Sequence, residues 1–145
     1  MNKVKLGIIG IGNIGSLHCT NIRDGKMPEV ELCAVADRRE TRRSWAKENL
    51  SSTVVIFDEG DDLIEAGLCD AVIIATPHYE HARLVMKSMA HGMHALCEKP
   101  AGVYTKQVRE MNEAAAKYEL VFAMMFNQRT SHVYRKMHEL VQGGT

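Results

Sequence analysis

Near the amino end the sequence reads Gly10-Ile11-Gly12-Asn13-Ile14-Gly15, an intact G-x-G-x-x-G. Glycines at this spacing can hold a diphosphate, provided the run leaves a strand and opens a helix. Gly10 permits the tight turn, Gly12 lets a phosphate approach the main chain, and Gly15 lets the helix pack closely on the strand. Asn13 and Ile14 then stand in the first helical turn, whose unpaired N–H groups and partial positive charge suit an anion. Asp37 follows at close to the roughly 20-residue spacing at which a carboxylate accepts hydrogen bonds from the hydroxyls of an adenosine ribose. A carboxylate there repels a 2′-phosphate, so the expected cofactor is NAD. Arg38 and Arg39 keep NADP open, because an arginine beside the ribose can hold that phosphate. Arg39, Arg42 and Arg43 read more simply as a solvated helix face.

These residues need a strand–turn–helix frame, and the pattern supplies one. Val4–Ile9 is a strand-like run, and 14–24 has helical periodicity with Gly25 as a stop. Apolar strand-like runs follow at 31–36, 53–57, 71–75, 94–97 and 121–125. Helix-period segments at 39–48, 61–66, 80–90 and Thr105–Tyr118 lie between them. Strands alternating with helices imply βαβ crossovers and a parallel sheet. Runs such as AVIIA and VFAMM are apolar throughout rather than alternating, as a sheet covered on both faces requires. The expected fold is therefore α/β, a doubly wound parallel six-stranded sheet of order 3-2-1-4-5-6. The expected domains are a dinucleotide-binding unit over 1–128 and a connecting helix over 129–145. That helix carries Val133, Met137, Leu140 and Val141 on one face.

Composition narrows the partners. The 145 residues suit one domain, and 18 basic and 18 acidic residues give a formal net charge of zero. That balance offers no electrostatic case for nucleic acid or an anionic membrane as a partner. No apolar run is long enough to span a bilayer, and no signal-peptide pattern precedes the first strand. Cys19, Cys33, Cys69 and Cys97 form no C-x-x-C pair, so a reduced, cytoplasmic setting is expected, with thiols as small core residues.

Two further segments carry a resemblance. Ala75-Thr76-Pro77-His78-Tyr79-Glu80-His81 contains T-P-x-x-x-H, and Gly92-Met93-His94-Ala95-Leu96-Cys97-Glu98-Lys99-Pro100 ends in E-K-P. Together with the glycine motif they resemble the glucose-fructose oxidoreductase / inositol dehydrogenase (Gfo/Idh/MocA) family over essentially the whole chain. The resemblance implies hydride transfer between NAD or NADP and a secondary alcohol of a sugar, polyol or related small molecule. It implies that Ala75, Thr76, Pro77 and His81 line or shape the cofactor cleft, and that Glu98 contacts the nicotinamide ribose. It places Lys99 next to the reacting carbon, as acid/base and part of the cofactor site, with Pro100 after it and open to a cis bond. Asn127 and Arg129 resemble the family's N-x-R segment near the nicotinamide. Members of that family carry a second α/β substrate domain that completes the active site and often forms a homo-oligomer interface. This chain then corresponds to the cofactor portion and is expected to be inactive alone. A non-catalytic NAD(H) sensor or scaffold is the alternative, and a biliverdin-reductase-like enzyme a third option.

Other features are set aside as structural. His78-x-x-His81 and His91-x-x-His94 have ligand-like spacing but lack a third ligand, so no metal site is expected. His18 and Trp45 are read as packing residues. The nine methionines are read mostly as core fillers.

Overall fold

The computed structural model describes residues 2–144; Met1 and Thr145, the outer ends of the expected domain bounds, lie outside the described residues. The six strands are β1 (Val4–Ile9), β2 (Val30–Ala36), β3 (Val55–Phe57), β4 (Ala71–Ile74), β5 (His94–Glu98) and β6 (Phe122–Met125). They form one sheet of order β3-β2-β1-β4-β5-β6, and every pair is parallel. The helices are α1 (Asn13–Arg23), α2 (Glu40–Asn49), α3 (Gly60–Glu65), α4 (His81–Ala90), α5 (Thr105–Tyr118) and α6 (His132–Gln142). The strand order reverses at β1, which pairs with β2 on one side and β4 on the other. In open parallel sheets the ligand crevice opens above such a point, at the carboxyl ends of the strands.

Period-2 geometry sends alternate strand residues to opposite faces, and both faces are buried. Ile9, Ala34, Ala36, Val72, Ile74, Ala95 and Cys97 join one core with Leu63 and Ile64 of α3, Leu84, Val85 and Met89 of α4, and Met111 of α5. Leu6, Ile8, Val35 and Ile73 join the other, with Cys19 and Ile22 of α1 and Ala46 of α2. Trp45 packs against that second core. This double cover explains why the strands read as continuous apolar runs. α6 buries no residue, and its Val133, Tyr134 and Met137 are more than half exposed. Among the described residues no helix is long and apolar enough to cross a membrane.

Several boundaries differ by a residue or more from the sequence pattern, three of them for evident local reasons. β3 starts at Val55 rather than at residue 53, because the Ser51 hydroxyl, bonded to the Thr53 N–H, and the Ser51 carbonyl, bonded to the Val54 N–H, hold a turn. α4 starts at His81 because the Glu80 N–H bonds the Pro77 carbonyl and draws His78–Glu80 into a 3₁₀ turn. β5 extends one residue further, to Glu98, through pairing with Met125 of β6.

Candidate cofactor cleft

The glycine turn joins β1 to α1, and its three glycines do different work. Gly10 has φ 93°, and a Cβ there would lie 2.7 Å from the Ala75 carbonyl oxygen. A Cβ on Gly15 would lie 1.9 Å from the Gly10 carbonyl oxygen, so any larger residue pushes α1 off β1. Gly12 is the exception: within 4 Å its Cβ would meet only the Arg39 Nη2, at 3.8 Å. The chain's own packing therefore tolerates a side chain at Gly12, and the space above it is open to a ligand. Gly12 is also the N-cap of α1, and no side chain caps that end. The first-turn N–H groups, including those of Asn13 and Ile14, are left for an incoming anion.

Two adjoining cavities run along the carboxyl edge of the sheet and share Gly12, Arg39, Ala75 and Thr76. The larger, about 620 Å³, lies over the ends of β2 and β4 and is lined by Gly10, Asp37, Arg38, Thr76 and Pro77 among others. The smaller, about 340 Å³, reaches Asn13, Ile14, His78, Glu98 and Lys99. Together they make one trough across the switch point, with Asp37 at one end and Lys99 at the other.

The Asp37 end is densely paired. Asp37 is only 8% exposed. Its Oδ2 accepts the Ile11 N–H at 2.8 Å and the Arg39 Nη2 at 3.1 Å. Its Oδ1 accepts the Arg39 N–H at 2.9 Å and the Arg39 Nε at 3.1 Å. Burial alone would raise the carboxyl pKa. The hydrogen bonds from Arg39 and from the Ile11 N–H outweigh burial and hold it below the usual carboxylate value. The arginines depart from the sequence expectation. Arg39, expected on a solvated face, is exposed as that requires, but it also clamps Asp37. Arg43, also expected there, is 18% exposed in its side chain, donates to the Asp37 and Arg38 carbonyls and pairs with Asp58. Arg42 does stay near the surface, with its Nη2 3.4 Å from the Asn13 Oδ1. Arg38 lines the larger cavity, but its Nε is committed to Glu59 at 2.7 Å.

At the other end, β4 and β5 deliver their last residues side by side. His81 is fully buried; its Nδ1 lies 2.7 Å from the Pro100 carbonyl and its Nε2 2.9 Å from the Thr76 carbonyl. It ties the two loops together from below and does not line either cavity. The Lys99–Pro100 bond is cis. Glu98 receives His18 Nε2 at 3.0 Å, with both side chains about 12–13% exposed. His18 is thus more than the packing residue its sequence position suggested: it anchors a cleft carboxylate. Its i+3 spacing from Gly15 put it on the cleft-facing turns of α1, but only the fold brings β5 to meet it. Lys99 lines the smaller cavity and, among the described residues, makes no hydrogen bond or ion pair. The Thr76 Oγ1 is buried without a hydrogen-bond partner among the described residues, and such groups ordinarily find one. Asn127 and Arg129 sit in the 3₁₀ turn after β6, outside both cavities, with the Arg129 guanidinium 5.2 Å from the Phe126 ring centre.

Residues 4–126 match the family model described as "Oxidoreductase family, NAD-binding Rossmann fold", the GFO_IDH_MocA model. The chain belongs to the Gfo/Idh/MocA oxidoreductase family. Among curated members, it is 30% identical to myo-inositol 2-dehydrogenase of Thermotoga maritima over 142 residues, which is 98% of this chain and 42% of that protein. It is also 30% identical to the rhizopine catabolism protein MocA of Rhizobium meliloti, covering 99% of this chain and 44% of that protein. Among solved structures, scyllo-inositol dehydrogenase from Lactobacillus casei, with bound NAD(H) and scyllo-inositol, superposes with a TM-score of 0.89. That match has 30% identity and covers 99% of this chain and 42% of the other. The chain thus spans less than half the length of the Gfo/Idh/MocA relatives it matches.

The residues present fit the cofactor that the family implies. The open cradle at Gly12 and the uncapped α1 terminus face one trough, and Thr76, whose buried hydroxyl finds no partner among the described residues, lines its wall. The domain is an NAD-binding domain of the Gfo/Idh/MocA type.

Proposed function

We propose that this chain is the cofactor half of an oxidoreductase that moves a hydride between NAD and a secondary alcohol of a sugar or polyol. The observation that carries the proposal is the single trough from Asp37, across Gly12, to an unpaired lysine amine at the end of β5. Relatives named as inositol and MocA proteins support the substrate class, and their greater length supports a substrate domain beyond the portion seen here. Bound NAD supplies the hydride acceptor. The chain's own residues then have distinct tasks. Gly12 and the α1 N–H groups hold the diphosphate. Asp37 receives ribose hydroxyls at the adenosine end, which favours NAD over NADP. Glu98, held by His18, offers its other oxygen to a hydroxyl at the nicotinamide end. Lys99 Nζ accepts the substrate hydroxyl proton as the carbon–hydrogen bond breaks, a general-base role. The four cysteines, all free, suit a reducing cytoplasmic setting.

The test has two arms. Calorimetric titration of NAD into this chain is expected to show binding that Gly12→Val removes; equal binding by that variant would refute the phosphate site. In the longer enzyme, Lys99→Ala is expected to remove turnover while leaving NAD affinity nearly unchanged. Retained turnover would take the proton-transfer role away from Lys99.

A further inference from the structure

An ionised carboxylate offers about four lone-pair sites to donors. All four on Asp37 are filled from within the chain: by the Ile11 N–H, the Arg39 N–H, the Arg39 Nε and the Arg39 Nη2. A ribose diol that donates to this carboxylate must displace two of them. The two main-chain donors belong to the turns after β1 and β2 and cannot leave without unfolding those turns. The two side-chain donors can leave. We propose that Arg39 is an internal competitor for the ribose end of the cleft, occupying Asp37 until a diol displaces it and blunting the discrimination between NAD and NADP. This inference rests on the cofactor reading above.

The neighbouring arginines single out Arg39 for this role. Arg43 is anchored by two carbonyls and Asp58, and its side chain is only 18% exposed. Arg38 is held by Glu59. The Arg39 side chain is 59% exposed, and among the described residues its ion-pair partner is Asp37. Its guanidinium can therefore swing into water with little loss of packing. The exchange is two for two: the Nε and Nη2 donors leave, and two ribose hydroxyls take the same oxygens.

The arrangement also bears on a 2′-phosphate. While Arg39 covers Asp37, the carboxylate's charge is locally balanced, and a guanidinium stands where a phosphate can pair with it. Without Arg39 the bare carboxylate repels that phosphate and accepts the diol freely. The Arg39 Nη2 also overhangs Gly12, where the diphosphate approaches. That group is common to both dinucleotides, so its contribution cancels in the ratio of their affinities.

The experiment is calorimetric titration of NAD and of NADP, separately, into the chain and into Arg39→Ala. The expected result is that Kd(NADP)/Kd(NAD) rises about tenfold or more in the variant, the equivalent of one charge-assisted contact. Arg39→Lys, which keeps the charge but loses the fork, is expected to give an intermediate ratio. Saturating NAD is expected to raise the Tm of Arg39→Ala by more than that of the parent, because the hydroxyls refill vacated acceptor sites. An unchanged or smaller ratio in Arg39→Ala, with NAD still bound, overturns the role of Arg39 alone. Failure of the parent chain to bind either dinucleotide overturns the cofactor reading itself, and the inference with it.

Discussion

The two ends of the trough are built on opposite principles. At the end of β2 the charged groups are paired from inside the chain: Asp37 by four donors, Arg38 by Glu59, Arg43 by two carbonyls and Asp58. At the ends of β4 and β5 groups are left unpaired among the described residues: Lys99 lines a cavity without a partner, and the buried Thr76 hydroxyl beside it has none. A paired end holds its shape before a ligand arrives and must be opened by exchange. An open end is completed by what binds there. The difference matches a division between recognising a fixed nucleotide and acting on a variable reactant.

Four experiments bear on this contrast. The largest effect is expected at the open end, where Lys99→Ala in the longer enzyme should lower kcat by about 10²–10⁴-fold, the usual worth of a positioned acid/base group. NAD affinity should be nearly unchanged; a parallel loss of affinity would make Lys99 a binding group and erase the division. Next, Gly12→Val should weaken NAD by about 100-fold or more, an effect of roughly 2.7 kcal/mol, while its Tm stays close to the parent's. Gly15→Ala should do the reverse, lowering stability by about 1–3 kcal/mol as an overpacked contact does, because its Cβ meets the Gly10 carbonyl. If both variants lost stability alike, Gly12 would belong to the packing rather than to the ligand.

The third test probes by pH the paired carboxylates, Asp37 at the end of β2 and Asp61 of α3, which Arg83 and Lys87 of α4 hold. Hydrogen bonds, first from Arg83 and then from Lys87, hold Asp61 down to about 2, and Asp37 is also held below its ordinary value. Folded carboxyls with lowered pKa stabilise the protein above the unfolded value of 3.8, and that stability is lost as pH falls through the folded values. Thermal melts should therefore show Tm falling between about pH 5 and about pH 2, and the fall should be shallower in Asp61→Asn. An identical slope in that variant would remove Asp61 from the acid response. The smallest effect is expected from His18→Ala, which should weaken NAD about threefold, in the range of one hydrogen bond. ADP, which lacks the nicotinamide ribose, should bind the variant as it binds the parent. Equal weakening of both ligands would mean that His18 supports α1 as a whole rather than Glu98.

Much of this was legible in the chain itself. The G-x-G-x-x-G run, its strand and helix and the acidic residue after β2 follow from period and spacing, because backbone sterics and double-faced burial impose them locally, and the strand order follows from the fold type that this alternation implies. The E-K-P and T-P-x-x-x-H segments pointed to the family without revealing how they meet. Arg39, His18 and His81 were the least legible. Each acts through a partner supplied by a turn, another strand or another loop, and side-chain type alone does not say which donor will reach which acceptor. Asn127 and Arg129 were expected near the nicotinamide on resemblance, and their turn after β6 leaves them outside the trough.

The sequence by itself determined where the strands and helices lie and that a glycine-rich turn opens α1, since those depend on local periodicity and bare main chain. Only the tertiary structure decided that Arg39 covers Asp37, that His18 crosses to Glu98 and that His81 joins Thr76 to Pro100. The reason is physical: hydrogen bonds form between atoms brought within about 3 Å, and a distance between elements far apart in sequence is fixed only when the sheet assembles.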